Sequence, residues 1–192
     1  MRKIFAALAA LCFSVGNADA AVTWDFRETA AGVVGTLSGS LDLTGALSTN
    51  LAVVSNGVVP KRAFISTGGT VATYQTTSGP TAFGTGDGRF VSRTFTGSLF
   101  FLLGDSAQVG VAPDYVSGTA LTGTVFIFEQ TSSSSVPTFA SLGIARGSYQ
   151  WTLPNDTITV NFGTTPIPLP ASLPLLLGAL GLAGVVARRR KT

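Results

Sequence analysis

Histidine is absent from the chain, and the one cysteine is Cys12. Without histidine, no Ser-His-Asp or Cys-His site can be assembled, and the usual zinc and copper ligand sets are missing. No metal and no cofactor are therefore expected. Cys12 lies in an apolar leader behind Ala10-Leu11, a poor lipid-attachment context, so the remainder of the chain has no disulfide with which to brace a small exported domain. Charge is scarce too, at 11% of residues. The eight acids beyond residue 20 are Asp25, Glu28, Asp42, Asp87, Asp105, Asp114, Glu129 and Asp156. Between Val22 and Phe162 no stretch carries a sustained helical period with caps.

What is present divides into three parts. Residues 1–20 read as a secretory signal peptide: cationic Arg2-Lys3, an apolar run from Ile4 to Val15, and a small-x-small site, Ala18-Asp19-Ala20, predicting cleavage after Ala20. At the other end, Pro166 to Ser172 is proline-rich, residues 173–187 carry no charged side chain, and Arg188-Arg189-Arg190-Lys191 close the run. Fifteen helical residues reach about 22 Å, short of a hydrocarbon core of about 30 Å. Inclusion of Ile167 to Ser172 lets the segment just span. Its prolines favour an extended start, while Gly178, Gly181 and Gly184 leave shallow faces for close helix approach.

Partitioned this way, the basic balance of the chain belongs to its ends. Residues 21–165 hold six cations against eight acids, a net −2, so there is no case for nucleic-acid binding. Basic residues at both ends fit a topology with both termini cytoplasmic and the intervening passenger outside.

The passenger alternates apolar and polar residues at the strand period. Val22 to Arg27 and Val34 to Leu43 open it, and a hairpin through Ala30-Ala31-Gly32 is the simplest connection. Leu51–Val54, Ala63–Ile65, Val71–Thr76, Phe90–Phe95, Ser98–Leu103 and Thr124–Glu129 follow, parted by turn signals such as Asn56-Gly57 and Gly68-Gly69. Tyr149-Trp151-Leu153 and Ile158-Val160-Phe162, joined by Pro154-Asn155-Asp156, form a terminal hairpin pattern. The reading is all-β: an antiparallel β-sandwich or jelly-roll of about ten strands.

Three features have competing interpretations. The loop Gly84–Arg89 offers Asp87 to a calcium ion but lacks further spaced carboxylates. Asp25, Glu28, Asp87 and Glu129 would have to converge to make a glycosidase pair. Trp24 and Trp151, with Tyr149 and Tyr115, either pack inward with their alternating neighbours or form an exposed row for stacking on extracellular polysaccharide.

The tail also carries a resemblance. Ile167-Pro168-Leu169-Pro170-Ala171, the glycine-bearing apolar helix and the terminal cations resemble the VPLPA-CTERM signal, a variant of the PEP-CTERM signals on exported proteins of Gram-negative bacteria. Ile167 stands where the pattern has Val. The resemblance implies recognition by an exosortase, a membrane cysteine protease or transpeptidase, then removal of the tail and delivery to the cell surface or extracellular matrix. A plain membrane anchor remains the alternative. The Asp25-bearing opening, Phe139 to Gly143 and Tyr149-Gln150-Trp151 loosely resemble uncharacterised passengers of this type. The expectation is therefore a non-enzymatic exported protein, with a surface carbohydrate-binding module as the second reading.

Overall fold

The computed structural model describes residues 21–127 and 136–163. The expected signal peptide, sorting motif, residues 173–187 and the basic tail lie outside these, as does Glu129. Among the described residues there is no α-helix, and no helix is long and apolar enough to cross a membrane. The chain is all-β there, with twelve strands in two six-stranded sheets.

The first sheet is built from β1 (Ala21–Thr29), β2 (Gly32–Ser38), β7 (Ser92–Gly97), β10 (Gly123–Ile127), β11 (Gly147–Thr152) and β12 (Thr157–Phe162), in the order β11-β12-β1-β2-β10-β7. The second contains β3 (Ser48–Val54), β4 (Gly57–Val59), β5 (Phe64–Ser66), β6 (Gly69–Gln75), β8 (Phe100–Leu103) and β9 (Gln108–Val111), in the order β3-β6-β9-β8-β5-β4.

Alternation in β1 puts Val22, Trp24 and Phe26 in the core while Thr23 and Asp25 are only half-buried. Phe100, Leu102, Val109 and Val111 of the second sheet join the same core cluster. The Trp24 ring meets Phe100 edge-on at 6.0 Å, which ties the sheets together. The expected β1–β2 hairpin is present, with Trp24 opposite Leu37, and so is the β11–β12 hairpin, with Trp151 opposite Ile158.

One expectation is corrected. The sheets are not wholly antiparallel, because β1 pairs in parallel with β12, Ala21 opposite Thr157 through Phe26 opposite Phe162. Two strands, β4 and β9, also lie where no strand was expected. The Gly57–Val59 segment was read as part of a turn, and Gln108–Val111 contains Gly110, which breaks the alternation. A Cβ at Gly110 would press on Val71 and Phe101, so the glycine serves close packing above the sheet.

Candidate functional site

Gly163, the last described residue, lies three residues before the proline-rich segment in the sequence, and the surroundings of this end of β12, called the exit below, are built from four distant parts of the sequence. β12 delivers it. Ile158, Val160 and Phe162 are all fully buried, and the strand lies between β11 and β1. The Phe162 ring contacts Phe83 at 4.7 Å, Phe26 at 4.8 Å, Phe139 at 5.8 Å and Tyr149 at 6.0 Å. Apolar burial of this kind anchors the last strand firmly.

Immediately beyond, the Gly163 N–H donates to the Phe26 carbonyl at 2.9 Å, and its φ of +67° lies in the left-handed region open to glycine. A Cβ there would come within 2.5 Å of Arg146 Nη1 and 3.1 Å of Phe139 Cε2. The Arg146 guanidinium lies 5.0 Å from the centre of the Phe139 ring and pairs with Glu28. Glu28 Oε1 also accepts the Phe139 N–H at 2.7 Å. Glu28, Phe139 and Arg146 thus close a clasp over the glycine. Because the ion pair is partly exposed, it contributes at most about 1 kcal/mol. Tyr149 beside it donates its hydroxyl to the Ala145 carbonyl, and burial pushes its pKa upward.

The parallel register separates the two ends of the passenger. Ala21, expected to begin the mature chain, lies at the Thr157 end of β12, while the exit lies beside Phe26. Five residues of strand between them correspond to about 17 Å.

The other sequence candidates are dispersed. Trp24 and Trp151 are fully buried, so of the two readings inward packing holds, and neither indole offers a face for stacking on a sugar. Their alternation with core neighbours decides this. Trp151 Nε1 donates to the Pro80 carbonyl at 3.0 Å, whereas Trp24 Nε1 is buried without a partner. The Tyr115 hydroxyl accepts the Leu41 N–H at 2.8 Å, a structural pin.

Among the carboxylates, Asp25 accepts from Asn161 Nδ2 at 2.8 Å, Glu28 belongs to the exit clasp, and Asp87 lies 3.6 Å from exposed Lys61. Asp25 and Glu28 fall on opposite faces of β1 by strand alternation. The Gly84–Arg89 loop is tied to the backbone of Gly143 through the N–H groups of Thr85 and Gly86. Among the described residues, no three metal-ligating side chains gather.

Sequence reading missed the exit clasp. Glu28 and Arg146 are 118 residues apart, and no local spacing relates them. It also missed Asp156, read as turn chemistry alone. Its buried carboxylate accepts the N–H groups of Thr157 and of distant Asp42, both at 2.6 Å. The glycine directly after a buried strand was the one available signal for the exit.

Taken together, the described residues form an all-β unit, and β12 is followed in the sequence by a segment set apart by composition. Among protein families, that segment matches the PEP-CTERM protein-sorting motif over residues 166–191. The motif implies export and exosortase-mediated sorting to the surface of a Gram-negative cell, with the exosortase as the membrane enzyme that handles the chain. No curated protein and no solved structure matches the chain, so the likeness rests on the tail alone.

Proposed function

We propose that this is an exported, non-enzymatic surface or matrix protein: a β-sandwich passenger, jelly-roll-like in its two-sheet layering, delivered by its C-terminal address. In this reading residues 1–20 are removed as a signal peptide with cleavage after Ala20. Residues 173–187 hold the intermediate in the inner membrane with Arg188 to Lys191 inside. The exosortase then acts at Ile167-Pro168-Leu169-Pro170-Ala171.

The observation that carries the proposal is the match of residues 166–191 to the PEP-CTERM protein-sorting motif, three residues along the sequence from the clasped Gly163. The extended, proline-fixed backbone expected there lacks internal hydrogen bonds, and so offers its amides and carbonyls to an enzyme groove. The non-enzymatic part draws support from the described carboxylates. Asp25, Glu28 and Asp87 are each held by a different partner rather than turned toward one cleft.

Mass spectrometry of the protein from its native host tests the proposal. A mature product beginning at Ala21 and ending before or within residues 167–171 is expected. An intact chain still carrying Arg188 to Lys191 would replace sorting with a plain membrane anchor.

A further inference from the structure

β1 and β12 run side by side in the same direction, and this fixes what lies near the start of the sorting segment. Phe26 lies opposite Phe162. β1 continues past that level to Thr29, about 10 Å further at the rise of a strand. The chain then reverses through Ala30 and Ala31 into β2. The turn is pinned from within: Thr29 Oγ1 donates to the Gly32 carbonyl at 2.8 Å and accepts the Ala31 N–H at 3.2 Å. Among the described residues Thr29, Ala30 and Ala31 are exposed, so the hairpin tip projects from the end of the sheet at which β12 finishes.

Covalent geometry limits how far the sorting segment can stand off from this tip. Gly163 is tied to the Phe26 carbonyl and sits under Arg146 and Phe139. From there Thr164, Thr165 and Pro166 span at most about 11 Å, and Ile167 stays within about 14 Å of Gly163. A groove that takes residues 167–171 as a strand places its own backbone about 5 Å to the side of them. A tether hardly longer than the hairpin leaves little room for solvent between passenger and enzyme. The tip suits close approach, because Ala30 and Ala31 carry no charge and no long side chain whose ordering opposes binding.

We infer that the β1–β2 tip, Thr29 to Ala31, is a docking surface for the membrane enzyme that handles the sorting segment. The inference rests on the sorting reading above and extends recognition from the linear motif to the folded passenger. It also gives the clasp at Gly163 a purpose. With β12 seated beside β1, motif and tip are presented together at a fixed separation. A passenger whose last strand is not seated offers the motif without the tip, and is the poorer substrate.

The rate of tail removal from the full-length chain in its native host tests this. Ala30→Tyr and Ala31→Tyr, made singly, enlarge the tip, and neither alanine has the left-handed φ that would strain a larger side chain. Ser38→Tyr is the reference, exposed on β2 opposite Thr23 and about 20 Å of strand back from the tip. Each variant is made with the native tether and with twelve Gly-Ser residues inserted between Thr164 and Thr165, an insert whose ends lie about 20 Å apart on average. Pulse-chase labelling follows processing, and mass spectrometry confirms that Arg188 to Lys191 are lost. With the native tether, the tip variants should be processed about fivefold more slowly than Ser38→Tyr, the effect of disturbing one well-packed interface contact. With the insert, all three should be processed at the same rate. Equal rates at the native tether, or slowing that persists with the insert, overturn the docking surface and leave sorting intact. An unsubstituted chain that keeps Arg188 to Lys191 overturns the sorting reading, and this inference with it. Urea midpoints read from Trp24 and Trp151 fluorescence establish that each variant folds, and Ala30→Gln or Ala31→Gln replaces a tyrosine variant that does not.

Discussion

Replacing Phe162 by alanine is the most demanding test of how the passenger is held to its address. The ring is fully buried and touches four other aromatic rings, from β1, β11 and two loops. Truncation of a core phenylalanine costs about 3–5 kcal/mol in transfer and cavity terms. Loss of several aromatic pairs at about 0.5–1.5 kcal/mol each pushes the expected value to the upper part of that range, about 4–5 kcal/mol. The neighbours are themselves large, and Phe26, Phe83 and Phe139 are buried among other core side chains, which limits collapse into the void. With a urea slope of about 2 kcal/mol per M, the midpoint should fall by about 2 M. Emission from buried Trp24 and Trp151 reports the transition. Val53→Ala, at a side chain 85% exposed, serves as control and should change stability by less than about 0.5 kcal/mol. A Phe162→Ala loss below about 2 kcal/mol would show that the cluster does not anchor β12, and the account of a clasped exit would fail with it.

Gly163→Ala should cost about 2 kcal/mol, combining left-handed strain with pressure on Arg146 and Phe139. Urea midpoints for Gly163→Ala with and without Arg146→Ala check this, and strict additivity would refute the proposed overlap. Asp42 accepts hydrogen bonds from Thr44, then Ser117, and these hold its carboxyl below the ordinary 3.8. A depressed acid stabilises the fold above pH 3.8 and loses that contribution as pH falls through its lower folded value. Asp42→Asn should therefore flatten the acid limb of a stability–pH curve, and identical limbs would contradict the assignment. Tyr149, raised by burial, contributes in the opposite sense: its stabilisation is present below pH 10 and lost as pH rises through the higher folded value. Tyr149→Phe should soften the alkaline loss seen by circular dichroism, and an unchanged curve would remove Tyr149 as its cause.

Strands with clean two-residue alternation were readable in advance. Val22-Trp24-Phe26 and Ile158-Val160-Phe162 each mark their buried face in the residues themselves, and the short turns between neighbouring strands fix the two hairpins. The burial of both tryptophans follows from the same alternation. The pairing of β1 with β12 was not readable, because a parallel partner 136 residues away leaves no local pattern, as the Asp25–Asn161 hydrogen bond illustrates. The exit clasp and the Asp42–Asp156 contact are hidden for the same reason. They depend on where the sheets bring distant loops. At the tail, motif order and composition suffice, since a sorting signal is read by its enzyme as a linear segment.

The partnership of first and last strands has a bearing on how the protein leaves the cell. Exported from the front, Trp24 and Phe26 emerge early, yet one flank of their strand stays open until residue 162 has come through. Contacts of such long sequence separation form slowly. Under the proposed topology, in which residues 173–187 hold the intermediate in the bilayer, retention by the tail would double as an interval for the passenger to close.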